Sequence, residues 1–129
     1  MKKTALVTGG SSGLGLALAQ NLGKQGYNIV IVARNQEKIN KAVESLKAMG
    51  VTAKGISCDI TNEVGLKEAA NQVKAEFTNI DYLVLNAGSV TTKLVSDYTS
   101  GAEMKQDLEV DLWGTILSAH IFLPLLKSG

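Results

Sequence analysis

The chain has 129 residues, 45% of them hydrophobic and 19% charged, which is the arithmetic of one soluble globular domain spanning 1–129 and leaves no room for a second catalytic one. Thirteen Lys and Arg against twelve Asp and Glu give a net charge of +1 without a basic stripe, so no nucleic-acid partner is expected; the one cysteine, Cys58, excludes an intrachain disulfide and a cysteine metal cluster and fits a reducing, cytoplasmic setting. No stretch approaches the roughly 18 apolar residues of a membrane span, and Ala5-Leu6-Val7 is too short for a signal-peptide core.

Thr4-Ala5-Leu6-Val7-Thr8 reads as a short strand closed by Gly9-Gly10, after which Leu14, Leu18, Ala19 and Leu22 recur at helical spacing up to Gly23 and Gly26. Tyr27 to Ala33 is nearly continuous in apolar character, as a parallel strand covered on both faces should be. Ile39, Ala42, Val43, Leu46 and Met49 form a second helical stripe, with Gly50 where a helix-ending glycine belongs. Val51 to Ser57 is a weaker third strand, followed by a third helix carried by Leu66, Ala69, Ala70, Val73 and Phe77 and capped by Thr61 or Asn62. Tyr82-Leu83-Val84-Leu85 is the fourth strand. A polar loop then runs to about Gly101, and Met104, Leu108, Leu112, Ile116, Ala119 and Leu123 predict one long fourth helix, with Pro124 at a kink or in its last turn. Strands alternating with helices over short connections imply right-handed βαβ units and the first half of a doubly wound parallel α/β sheet. The chain stops at Leu126-Lys127-Ser128-Gly129, after a helix and where a strand would come next, so the sheet is expected to be unfinished beside the fourth strand.

The turn Thr8-Gly9-Gly10-Ser11-Ser12-Gly13-Leu14-Gly15 lies between the first strand and the first helix. A phosphate-binding turn needs glycine there to turn tightly, to bring backbone N–H groups to a phosphate without an intervening Cβ, and to let helix and sheet approach. The triphosphate loop G-x-x-x-x-G-K-[ST] is not matched, because Leu16 and Ala17 follow Gly15. A dinucleotide site places a ribose-binding residue at the end of the second strand, where the sequence is Ala33-Arg34-Asn35. Arg34 is the only arginine in the chain. A guanidinium there pairs with a 2′-phosphate, which favours NADP(H) over NAD(H).

With these residues in place, the chain resembles the N-terminal, cofactor-binding half of the short-chain dehydrogenase/reductase family, whose T-G-x-x-x-G-x-G is matched from Thr8 to Gly15. Cys58-Asp59-Ile60 after the third strand, Asn86-Ala87-Gly88 after the fourth and Val110-Asp111-Leu112-Trp113-Gly114 in the long helix match in order. The resemblance implies an incomplete Rossmann-like fold and an oxidoreductase that reduces carbonyls or oxidises alcohols. It implies a cofactor site built from Gly9, Ser11, Ser12, Gly13, Leu14, Gly15, Arg34, Asn35, Asp59, Ile60, Asn86, Ala87 and Gly88, with Asp59 on the adenine amino group and no metal. The family's Tyr-x-x-x-Lys is not found: Ile31 follows Tyr27 at four residues, Asn86 follows Tyr82 and Ala102 follows Tyr98. The catalytic Ser and Tyr-x-x-x-Lys are therefore expected beyond residue 129, with the chain inactive alone and a small-molecule substrate met only by a complete protein. Asp111 stands at the family's relay Asn, where a carboxylate would be costly without a partner; it is either an altered catalytic residue or a solvated helix residue.

His120 has no second ligand nearby, and Trp113, Phe122 and Cys58 read as packing residues. An alternative function is a non-catalytic NADP(H)-binding module that senses the cofactor or assembles with another chain. In either case the fourth strand's apolar edge or the apolar long helix predicts self-association.

Overall fold

The structure, a computed structural model, describes residues 2–86, 100–108 and 112–127. Chain order is β1 (Thr4–Thr8), α1 (Gly13–Lys24), β2 (Asn28–Ala33), α2 (Gln36–Ala48), β3 (Ala53–Ser57), α3 (Glu63–Phe77), β4 (Tyr82–Leu85), α4 (Gly101–Leu108) and α5 (Gly114–Phe122). A 3₁₀ turn, Leu123–Leu125, follows and holds Pro124. The strands form one parallel sheet in the order β3-β2-β1-β4, with Leu6 opposite Val30 on one side and Leu83 on the other. Beyond β2, Val32 faces Ile56 of β3. The chain thus steps outward from β1 to β3 and then returns to β1's other side, which opens a crevice at the carboxyl ends of β1 and β4.

The continuous apolar runs are explained by the two layers of the core. Side chains alternate across a strand, so Ala5, Val7, Ile29 and Ile31 pack with Ala19 of α1 and Ile39, Ala42 and Leu46 of α2. Leu6, Val30, Val32 and Ile56 point the other way, onto Leu66, Ala69 and Val73 of α3 and Leu117, Ile121 and Phe122 of α5. Both faces of β1 and β2 are covered, which is the condition under which a strand needs no polar face.

Strand starts and the core face of the last helix differ from the sequence expectation. The third strand begins at Ala53 rather than Val51. Of the expected long helix, α4 and α5 are seen, and 109–111, where they would join, lie outside the described residues; Leu112 and Trp113 lead into α5 through a π-helical turn. The stripe that predicted this helix is also not its core face. Leu112, Ile116 and Leu123 are exposed, and Leu117, Ile121 and Phe122, which lie between them, fill the core. Of the two readings of Pro124, the last turn holds rather than the kink: its missing N–H ends the α-helical ladder in a 3₁₀ turn.

β4 pairs with β1, and its first approach is also bonded on the opposite side. The Ile80 N–H donates to the Leu125 carbonyl at 2.9 Å and the Lys127 N–H donates to the Ile80 carbonyl at 2.8 Å, so Leu126 bridges Ile80 in parallel sense. Tyr82 and Leu85 of β4 are exposed. The edge predicted to be open is therefore closed at its start and bare further along, among the described residues.

Candidate functional site

The carboxyl ends of all four strands carry the residues singled out by sequence. Gly9 to Gly15 follow β1, Arg34 and Asn35 follow β2, Asp59 and Ile60 follow β3, and Asn86 follows β4. Ala87 and Gly88, and Asp111 in the helical segment, lie outside the described residues.

The glycine turn is shaped by two residues in the left-handed region, Gly9 at φ 67° and Gly13 at φ 57°, a conformation that side-chain-bearing residues rarely adopt. Gly15 serves a different purpose. It is buried, and a Cβ there would overlap the Gly9 carbonyl and the Asn86 side-chain amide. That close approach is bonded, since Asn86 Nδ2 donates to the Gly9 carbonyl at 3.2 Å. The Asn86 backbone N–H donates to Thr8 Oγ1 at 3.0 Å, and that hydroxyl donates to the Val84 carbonyl at 3.4 Å. The ends of β1 and β4 and the start of α1 are thereby locked into one unit.

The first N–H groups of any helix have no intrahelical acceptor. In α2 one of them is taken by Asn35, whose side chain accepts from the Lys38 N–H at 3.0 Å, and in α3 one is taken by Asn62, which accepts from Gly65 at 3.0 Å. Both helices also carry an acid in the first turn, Glu37 and Glu63. The amino end of α1 has neither: the Ser12 side chain makes no capping bond and the first turn holds no acid. Its donors and the positive end of its dipole face the crevice beside exposed Ser12, Gly13 and Leu14, an arrangement suited to a pyrophosphate.

Arg34 is 69% exposed, and its Nη2 lies 3.8 Å from Oδ2 of Asp59. Asp59 is held by its own turn: Oδ1 accepts from the Thr61 N–H at 2.9 Å and from the Thr61 hydroxyl at 2.7 Å. The Thr61 backbone donor, then its hydroxyl, and to a smaller extent Arg34 hold the Asp59 carboxyl below its usual range against the opposing effect of burial. Asp59 is therefore a fixed, charged acceptor at neutral pH. Ile60 beside it sends its side chain into the core, leaving only its backbone for a ligand. Burial, then Asp59 and Glu68, push the Cys58 thiol upward, which suits a packing residue rather than a nucleophile.

Three contributors were not assigned to the site by sequence, although Thr8 belongs to the matched turn and Thr61 was a cap candidate. Thr8 and Thr61 are described above, and the Ser57 hydroxyl donates to the Arg34 carbonyl at 3.0 Å, tying the end of β3 to the end of β2. For Thr61 a signal existed, because Asp-x-Thr is the spacing at which an Asp side chain accepts from the backbone two residues on. A groove of about 710 Å³ runs along α3 beside α5, lined by Glu63, Lys74, His120 and Lys127 among others, and includes none of Gly9 to Gly15, Arg34, Asp59 or Asn86. Among the described residues no set of His, Cys, Asp and Glu could hold a metal, and no helix is long and apolar enough to cross a membrane.

Open donors at the first helix, an exposed guanidinium after β2 and a fixed acid after β3, all at strand carboxyl ends, suit the pyrophosphate, ribose and adenine of a dinucleotide. The family model for short chain dehydrogenases matches residues 3–129. The chain belongs to the short-chain dehydrogenase/reductase family. It is 33% identical over 125 residues to an uncharacterised oxidoreductase of Staphylococcus epidermidis, covering 97% of this chain and 53% of the relative. It is 30% identical over 127 residues to tropinone reductase-like 3 of Erythroxylum coca, covering 98% and 49%. Among solved structures, L-sorbose reductase from Gluconobacter frateurii, complexed with NADPH and L-sorbose, superposes with a TM-score of 0.85 at 30% identity over 95% of this chain and 47% of that one. The chain spans about half the length of the curated relatives it matches. Family members bind a nicotinamide dinucleotide.

Proposed function

We propose that residues 1–129 are the cofactor-binding half of an NADP(H)-dependent oxidoreductase that interconverts carbonyl compounds and alcohols. The observation that carries the choice of coenzyme is Arg34, exposed at the end of β2 and the only arginine in the sequence. A solved relative carrying NADPH supports the reading. The bound nicotinamide would supply hydride chemistry. The chain's own residues bind and orient: the amino end of α1 with Gly9, Ser11, Ser12, Gly13, Leu14 and Gly15 receives the pyrophosphate, Arg34 and Asn35 border the 2′-phosphate, and Asp59 with the Ile60 backbone receives the adenine. Asn86 holds the turn in shape and, with Ala87 and Gly88, borders the nicotinamide side. The groups that move the proton are assigned to sequence outside these residues, in keeping with the half-length match to relatives. The chain is proposed to work in the cytoplasm and to self-associate.

Calorimetric titration of the purified chain with NADPH and NADH tests this. Arg34→Ala removes a charge-assisted hydrogen bond of roughly 1.5 kcal/mol, the low end for an exposed site, so NADPH affinity is expected to fall about ten-fold while NADH affinity holds. Equal loss for both coenzymes would remove the 2′-phosphate from the reading.

A further inference from the structure

The cation and the acid of the crevice are neighbours. Arg34 Nη2 and Asp59 Oδ2 are 3.8 Å apart, too long for a hydrogen bond, with the side chains 69% and 39% exposed. The partnership is unequal. Thr61 fixes the carboxylate through Oδ1 and leaves Oδ2 toward the guanidinium, whereas no other partner of the Arg34 side chain is seen among the described residues. The two residues are held on adjacent strand ends, because the Cys58 N–H donates to the Ala33 carbonyl at 2.7 Å and the Ser57 hydroxyl donates to the Arg34 carbonyl at 3.0 Å.

We propose that Asp59 sets the strength of this chain's preference for 2′-phosphorylated over unphosphorylated adenine ligands, by competing with the 2′-phosphate for Arg34. The inference rests on the reading that Arg34 meets that phosphate. A dianion seated on the guanidinium must displace the carboxylate's attraction and then lie within a Debye length of a fixed like charge. Both effects weaken binding of the phosphate. Against them stands any benefit from Asp59 holding Arg34 in place, which is small for an exposed pair at 3.8 Å. Contacts of Asp59 with the adenine are common to both kinds of ligand and cancel in the ratio of their affinities.

The probes are adenosine 2′,5′-bisphosphate and adenosine 5′-monophosphate, titrated by calorimetry into the wild-type chain and Asp59→Asn, which keeps the size of the side chain and an oxygen for Thr61. The bisphosphate-to-monophosphate affinity ratio is expected to rise about three- to ten-fold in the variant at low ionic strength, and the rise to shrink as salt is added. Asp59→Ser, which removes the same charge and keeps an acceptor, is expected to do likewise and serves if Asp59→Asn folds poorly. A wild-type chain that prefers the bisphosphate, together with an unchanged or lower ratio in the variants, overturns the competition and leaves the role of Arg34 standing. A wild-type chain without that preference overturns both.

Discussion

At Asp59, two donors of one residue decide how a charge is held. The Thr61 side chain and backbone both donate to Oδ1, and the carboxyl sits below its ordinary range as a result. A carboxyl whose folded pKa lies below its unfolded value adds stability that is fully present above the unfolded value and is lost as pH falls through the folded one. Thr61→Val keeps the backbone donor, the larger cause, and deletes the hydroxyl. The Asp59 carboxyl, followed by NMR titration, is therefore expected to move part of the way back toward the ordinary carboxylate range. The variant should be less stable near neutrality by roughly 1 kcal/mol or less, since the carboxylate is partly exposed and one hydrogen bond is lost, and the gap should close in acid. An unmoved titration would mean that the backbone donor alone sets the charge.

Between elements, the contact that matters is the one between the start of α1, the end of β1 and the end of β4. Gly15→Ala would drive a Cβ into the Gly9 carbonyl and the Asn86 amide, which are backbone and a bonded side chain and cannot swing aside. Overpacking of this kind costs about 1–3 kcal/mol, and because the displaced atoms shape the glycine turn, NADPH binding is expected to be lost along with thermal stability. Gly101→Ala is the control, since nothing lies within 4 Å of a Cβ at the first residue of α4. It is expected to be neutral in both measurements, and equal damage from both substitutions would count against a specific role for Gly15. The glycine at 15 was legible from the sequence because a phosphate turn demands small residues at fixed spacing, and β2 was legible because burial on both faces leaves an unbroken apolar run. The partners of those residues were not. Asn86 was read as a turn beside the cofactor, while its bond to Gly9 joins positions 77 residues apart, and no local pattern encodes such a pairing. The choice between Thr61 and Asn62 as cap of α3 was equally closed to sequence: Asn62 caps, and Thr61 is taken by Asp59.

For the molecule as a whole, the helical reading of the last segment failed in an informative way. α5 is apolar on both sides: Leu117, Ile121 and Phe122 fill the core, while Leu112, Trp113, Ile116 and Leu123 are more than half exposed at 58%, 52%, 51% and 61%. A periodicity argument assumes one wet face and picks whichever stripe is more regular, so it selected the outward one. An outward patch of four large apolar side chains beside a helix whose other side fills the core is a candidate association surface. The β4 edge competes as a site, with Tyr82 and Leu85 exposed, but its start is occupied by the bonds between Ile80 and Leu125–Lys127. The helix face is therefore the stronger candidate. Light scattering and sedimentation of the purified chain are expected to show species larger than 13.6 kDa that grow with concentration. Ile116→Lys, which puts a charge at the centre of the patch, should shift them toward the monomer, whereas Tyr82→Lys on β4 should change little. Monodisperse monomers at high concentration would contradict self-association altogether, and a response to the β4 substitution alone would move it from the helix to the sheet edge.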